Sequence, residues 1–163
     1  MLTRDRAPGT VRVLTGWAPG DAAPMVIAAV QRIGTRATAP TDNWAGGGIS
    51  ARVDLATGRL GAGVKRPAAK GAPPTRHALH PDSGAEIEGA ILPRWEEVQA
   101  AALRALTAIP LVRYAGWDVI VPETGEPIML EGNGNSSLDL IQVHGGLLRE
   151  PHARRFYQAL HMA

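Results

Sequence analysis

The chain has 163 residues, a formal net charge of +2 and no cysteine. Between about 100 and 200 residues, a chain is usually one domain with its own core. The lack of cysteine excludes a disulfide framework, a thiolate nucleophile and a cysteine–zinc site.

The basic residues are almost all arginines, because Lys65 and Lys70 are the only lysines. They are scattered, without a basic block or interleaved aromatic residues, so we expect no nucleic-acid partner. Guanidinium groups instead suit the capture of phosphate and carboxylate groups. No apolar run reaches the ~18 residues of a membrane span, and the N-terminus lacks the apolar core of a signal peptide. We therefore expect a cytoplasmic protein without a membrane contact.

The first two predicted elements each carry an arginine. Residues 1–9 read as a disordered lead-in, and Thr10–Trp17 alternates like a strand. Within that strand, Arg12 is either an edge charge that reaches water or a cation that faces a nucleotide phosphate. Met25–Ile33 fits a helix or a strand, and its β-branched residues favour a strand. Arg32, near its end, is a second candidate for a phosphate or substrate contact.

A glycine-dense segment follows over residues 35–48 and predicts an irregular loop. The backbone N–H groups of such a loop can hold anions, although a flexible connector has the same composition. Ile49–Leu55 and Arg59–Val64 then predict a hairpin, and Lys65–Pro74 predicts an exposed loop.

Two histidines precede the clearest helix of the chain. His77 and His80 have the spacing of a helical metal pair, but Pro81 argues against a helix there, so we expect them at the surface. Pro93–Thr107 predicts a helix, with Pro at its first position, two glutamates in its first turn and an apolar stripe. Pro110 ends it.

A second predicted hairpin brings two carboxylates together. Trp117–Pro122 and Pro127–Glu131 flank a turn-like segment, and either a tip at residues 124–125 or a four-residue loop at 123–126 places Asp118 opposite Glu131. Opposed side chains have Cβ atoms roughly 4.5–5.5 Å apart, so two carboxylates there repel unless a cation lies between them. Asn133 follows on the same face if the chain stays extended. These oxygen ligands suit Mg²⁺, although solvated charges and a plain turn give the same pattern.

The C-terminal part predicts two more helices. Ser136 or Ser137 caps a short helix that ends at Gly145-Gly146, and Pro151–His161 predicts an amphipathic helix with Phe156 turned inward. The expected class is α+β, with a mainly antiparallel sheet backed by helices.

Six segments in this order resemble the sugar-transfer-associated group of ATP-grasp proteins, which is related to the α-L-glutamate ligases. They are Thr10–Val13, Asp42–Trp44 with Gly46–Ile49, Asp54–Leu60, His80–Gly84, Leu92–Trp95, and Gly116–Asp118 with Glu131–Asn135. The resemblance implies that residues 10–163 form the C-terminal catalytic subdomain of the ATP-grasp fold, without the N-terminal domain and the lid.

The resemblance also implies ATP and Mg²⁺, or Mn²⁺ in its place, as cofactors. It implies metal binding by Asp118, Glu131 and Asn133. It implies catalytic roles for Arg12, Arg32 and Asn43, and nucleotide contacts for Arg12, Gly46 and Gly47. It implies substrate contacts for His80, Ser83 and Asn135.

The implied reaction is that of a Mg–ATP-dependent carboxylate–amine ligase. A carboxylate takes the γ-phosphate to give an acylphosphate, and an amine then displaces phosphate. Two alternatives remain open, namely a non-catalytic remnant or split subunit that binds a partner chain with the missing half, and an ATP-grasp phosphotransferase. In complete ATP-grasp proteins, lysines of the N-terminal domain and the lid contact the phosphates. The resemblance covers only the part that follows the lid, so we expect this polypeptide alone to bind Mg–ATP weakly or not at all.

Overall fold

In the part of the chain that the structure describes, seven strands pair into one sheet. The computed structural model describes residues 9–67, 69 and 71–162. The strands are β1 (Thr10–Gly16), β2 (Met25–Ile33), β3 (Ile49–Val53), β4 (Leu60–Lys65), β5 (Thr75–His77), β6 (Tyr114–Ile120) and β7 (Ile128–Asn133). Their order across the sheet is β5-β4-β3-β2-β1-β6-β7, and every neighbouring pair is antiparallel. Of the lead-in predicted over residues 1–9, all but Gly9 lies outside the described residues.

Among the described residues, three α-helices and two short 3-10 helices accompany the sheet. They are α1 (Trp95–Ala108), α2 (Asp139–Gln142), α3 (Pro151–Ala159), and the 3-10 helices Trp44–Gly46 and Leu147–Arg149. This arrangement confirms the α+β class and the antiparallel sheet backed by helices. Within the described part of the chain, no helix has the length and apolar character needed to cross a membrane.

The central strand β2 begins with a continuous apolar sequence, without alternation of apolar and polar residues. One face of the sheet packs against α1 in a core that includes Ala29 and Val98. The other face packs against α2, α3 and Trp44 in a core that includes Ile27 and Phe156. Because both faces are covered, a continuous apolar run forms a strand here rather than a helix.

The strand β1 directs its side chains alternately to these two cores. Val11 and Val13 belong to the core under α1, whereas Leu14 belongs to the core under α3. Successive strand residues point to opposite faces, so Arg12 lies on the same face as Leu14. That face carries the candidate site, beside the helices that cover the rest of it.

The β6–β7 hairpin keeps the predicted pairing near the site but not at its tip. Asp118 pairs with Glu131 as predicted, but the register then shifts so that Val119 pairs with Met129. Leu130 is therefore an extra residue on β7, as in a β-bulge. Pairing ends at Ile120 and Ile128, so both predicted connections, the tip at residues 124–125 and the loop at 123–126, are wrong. Pro122 and Pro127, in the loop between the strands, lack the backbone N–H groups that would extend the β6–β7 pairing.

The remaining helices start later or end earlier than predicted. The helix α1 begins at Trp95 rather than at Pro93, because Arg94 has a left-handed backbone with φ of 55°. The side chain of Arg94 contacts Glu97 in the first turn and Glu126 in the β6–β7 loop. The terminal helix ends at Ala159, and its Phe156 is fully buried.

Candidate functional site

The centre of the candidate site is an ion pair between the neighbouring strands β1 and β6. The register places Arg12 directly opposite Asp118, on the face shared with Leu14. The Arg12 Nε donates to Asp118 Oδ1, and Nη2 donates to Oδ2 at 2.8 Å. Asp118 is 3% exposed, and the Arg12 side chain is 11% exposed. The pair is therefore a bidentate guanidinium–carboxylate contact with little access to water.

A second arginine joins the same carboxylate from β2. Arg32 Nη1 donates to Asp118 Oδ2 at 2.8 Å, and its Nη2 lies 2.7 Å from Asp42 Oδ1. The other oxygen of Asp42 accepts from the Thr10 backbone N–H at 2.9 Å and from the Thr10 hydroxyl at 2.6 Å. Asp42 therefore fixes Arg32 and the start of β1 together.

Ser136 completes the surroundings of Arg12. It follows β7 and is buried, and its Oγ accepts a hydrogen bond from Arg12 Nη1 at 3.0 Å. Gly116 on β6 leaves the space for this contact, because a Cβ there would lie 2.7 Å from Ser136 Cβ. Ser136 thus holds the guanidinium and is not the helix cap predicted for it, whereas Ser137 Oγ accepts from the Asp139 N–H.

These contacts shift the pKa values of the central pair. Burial alone would raise the pKa of Asp118. The hydrogen bond and charge of Arg12, with the charge of Arg32, outweigh burial and lower that pKa below its ordinary value of 3.8. The hydrogen bond to Asp118, partly opposed by burial, raises the pKa of Arg12. Both groups are charged at neutral pH.

The predicted metal ligands lie at the exposed side of the cluster that is formed by Arg12, Arg32, Asp42, Asp118 and Ser136. Glu131 pairs with Asp118 across β6 and β7 and is exposed. Asn133 Nδ2 donates to Glu131 Oε1 at 3.0 Å. Gly132 between them packs on the Trp117 ring of the opposite face, so Glu131 and Asn133 share the face of Asp118.

The donor set fits a hard divalent cation, since it offers two carboxylates and one amide side chain. Among the described residues, no group of three or more His, Cys, Asp or Glu side chains forms a metal site. The predicted ligand set has two such side chains, those of Asp118 and Glu131, and its third member is the amide of Asn133. The fit therefore depends on Asp118 and Glu131, with Asn133 as the neutral ligand.

The glycine-dense loop reaches the cluster through Asp42. Asn43 is exposed, and its Oδ1 accepts from the Ala45 N–H at 3.0 Å, which caps the 3-10 helix at Trp44–Gly46. Gly47 ends that helix with φ of 109°, a left-handed conformation that favours glycine. Among the hydrogen bonds of the described residues, none joins Asn43, Gly46 or Gly47 to Asp118.

The predicted substrate residues separate into two places. His80 is 2% exposed, so the surface position expected for it is wrong. Its Nε2 contacts the Gly34 carbonyl oxygen at 2.8 Å, and its Nδ1 accepts from the N–H groups of Asp82 and Ser83 at 3.2 Å. This ring therefore organises a turn. Asn135 is exposed just beyond β7.

Sequence reasoning missed Asp42 and Ser136 as members of the site. Asp42 belongs to a segment that carried the family resemblance, and Ser136 follows the Glu131–Asn135 segment directly. Thr10, however, is 32 residues from Asp42 in the chain, and Arg12 is 124 residues from Ser136. Proximity to a motif was the only signal available for either residue.

Comparison with known proteins identifies the family of the chain. The family model for sugar-transfer associated ATP-grasp proteins matches residues 8–155. Neither a curated protein nor a solved structure is significantly similar to the chain. The match spans all seven strands and all the residues of the cluster. The chain therefore belongs to the sugar-transfer associated ATP-grasp family.

Proposed function

We propose that this chain carries the phosphate-handling centre of a Mg–ATP-dependent carboxylate–amine ligase. The observation that carries the proposal is the buried Asp118, which lies opposite Glu131 and beside two arginines on one face of the sheet. Membership of the ATP-grasp family supports ATP binding and ligase-type chemistry. The more specific reaction and its residues are our proposal.

Asp118, Glu131 and Asn133 would hold Mg²⁺, or Mn²⁺ in its place. A bound cation supplies Lewis-acid stabilisation of the charge on the phosphate oxygens. Glu131 is the exposed carboxylate of the set, so it is the ligand that a metal–nucleotide complex meets first. The hydrogen bond from Asn133 orients it.

Arg12 and Arg32 would contact the transferring phosphoryl group. Their guanidinium groups are fixed by Ser136 and Asp42, which reduces the reorganisation needed when negative charge develops. In the first step, an acceptor carboxylate oxygen attacks the γ-phosphorus, the bond to the bridging oxygen breaks, and ADP leaves. In the second step, an amine attacks the acyl carbon, phosphate leaves, and the nitrogen loses a proton.

The protonation state of the site favours a carboxylate acceptor over a hydroxyl acceptor. A hydroxyl must lose its proton during phosphoryl transfer, which requires a general base. Asp118 is a poor base because its arginine contacts lower its pKa, Asp42 is held by Thr10 and Arg32, and Glu131 is assigned to the cation in this proposal. A carboxylate arrives without that proton. The ligase is therefore the better candidate, and the phosphotransferase is the alternative outcome of the test.

A binding test addresses the metal–nucleotide part of the proposal. This chain alone is expected to bind Mg–ATP weakly or not at all, and the proposed function requires weak binding, so amide NMR shifts should be followed while Mg²⁺ and ADP are added. We expect Glu131→Gln to weaken binding at least roughly 10-fold, since affinity at such sites follows the number of charged ligands. Glu123→Gln, in the exposed loop of the same hairpin, is the matched control and should not alter it. Equal binding in both variants would contradict the proposal.

A trapping test addresses the reaction class. Hydroxylamine intercepts an acylphosphate and gives a hydroxamate, whereas a phosphorylated hydroxyl does not react in this way. The chain, Mg²⁺, ATP and a panel of carboxylic acids should give hydroxamate that disappears in Glu131→Gln. Formation of a stable phosphoester instead would favour the phosphotransferase.

A further inference from the structure

The hydrogen-bonding capacity of Asp118 is mostly used by arginine. Its two oxygens accept three guanidinium hydrogen bonds, two from Arg12 and one from Arg32. An ionised carboxylate has about four acceptor positions. One position on Oδ1 remains, so a divalent cation that takes more than this position competes with the two arginines for the lone pairs of Asp118.

The same arginines also oppose a cation electrostatically. Their side chains are 11% and 17% exposed, so solvent and salt screen their charges less than they screen surface charges. A bare divalent cation beside Asp118 and Glu131 would face two fixed positive charges at short range. The candidate metal site is thus less favourable for a cation that arrives alone than its carboxylates would make it without the arginines.

Each arginine has a second contact that does not involve Asp118. Arg12 donates to Ser136, and Arg32 pairs with Asp42. These contacts hold the guanidinium groups at the site if they leave Asp118. The oxygens of a polyphosphate are suitable new acceptors, because guanidinium groups bind phosphate with bidentate hydrogen bonds.

We propose that Arg12 and Arg32 form an arginine clamp, which withholds Asp118 from a divalent cation until a polyphosphate takes up the guanidinium groups. This inference rests on the proposed function and adds its binding order. Cation and polyphosphate bind cooperatively, and each raises the affinity of the site for the other by the same factor. The clamp also keeps the buried carboxylate paired while the nucleotide is absent.

The test is to remove one arm of the arginine clamp and measure binding of the metal alone. Free Mn²⁺ is quantified by its EPR signal during titration of the full chain, without nucleotide. We expect Arg32→Gln to bind Mn²⁺ more tightly than the unmodified chain by roughly 10-fold, within the range typical of coupled sites. The same variant should bind Mg²⁺–ADP more weakly. A residue with only a structural role would not change the two affinities in opposite directions.

Two further variants make the result decisive. Arg52→Gln removes a half-exposed arginine that is paired with Glu150, and it should leave Mn²⁺ binding unchanged. Arg32→Lys keeps the charge but loses the planar fork, so it should give a smaller gain and serves if Arg32→Gln does not fold.

The two proposals fail in different ways. Unchanged or weaker Mn²⁺ binding in Arg32→Gln and Arg32→Lys, with normal Mg²⁺–ADP binding by the unmodified chain, would overturn the arginine clamp and leave the proposed function standing. If the unmodified chain binds no Mg²⁺–ADP at millimolar concentration, the proposed function and the binding order that rests on it are both overturned.

Discussion

Replacement of Asp118 by asparagine tests how much the central ion pair contributes to stability. Breaking a buried pair by removing one charge typically costs about 3–5 kcal/mol. The cost should be smaller here, because the two guanidinium groups keep some exposure and retain their contacts to Ser136 and Asp42. We therefore expect Asp118→Asn to lower the free energy of unfolding by about 2–4 kcal/mol. Asp139→Asn, at an exposed position in α2, should cost less than about 1 kcal/mol.

The effect should depend on pH with a definite sign. The arginines hold the pKa of Asp118 below its ordinary value of 3.8 in the folded state. Its contribution to stability is therefore complete above that pH and is lost as the pH falls through the folded-state pKa. Urea unfolding should show the full difference at about pH 7 and a smaller difference below about pH 4. A cost below about 0.5 kcal/mol at pH 7, or one that does not change with pH, would refute this reasoning.

Two further predictions concern neighbouring packing and a buried histidine. Gly116→Ala should lower the free energy of unfolding by about 1–3 kcal/mol, because the new Cβ would lie 2.7 Å from Ser136 Cβ. The control is Gly134→Ala, which has open space around the new Cβ and should change the free energy of unfolding by less than about 0.5 kcal/mol. Equal urea midpoints would contradict this. Burial, and then the charges of two nearby arginines, lower the pKa of His144 to about 4 from 6.5, and its Nε2 contacts Ser50 Oγ at 3.0 Å. The unfolded chain binds this proton more readily, so His144 should reduce stability as pH falls from 6.5 towards 4, and an NMR titration with a midpoint near 6.5 would disprove the shift.

The sequence predicts those parts of the fold that depend on local pattern. Met25–Ile33 is a strand over the predicted range, because its β-branched residues fit a strand covered on both faces. The pairing of Asp118 with Glu131 also follows from sequence, since a hairpin joins residues close in the chain. The tip was wrong because the bulge at Leu130 shifts the register beyond the site by one residue.

The remaining features depend on contacts between distant segments. Asp42 reaches Thr10 and Arg32 only because β1 and β2 lie side by side beneath the loop. Ser136 reaches Arg12 only because Gly116 has no side chain. Such contacts leave no periodic signal in the sequence. The sequence could therefore suggest the carboxylate pair and single out Arg12 and Arg32, but not the contacts of these arginines with Ser136 and Asp42.

The most direct test of the central claim is to locate a bound metal–nucleotide complex on the folded chain. Substoichiometric Mn²⁺ with ADP broadens the amide NMR signals of nearby residues through its unpaired electrons. We expect the signals of residues 116–118 and 131–133 to disappear first, and we expect Glu131→Gln to remove this selectivity. Broadening that is centred elsewhere, or that is the same with and without Glu131, would contradict it.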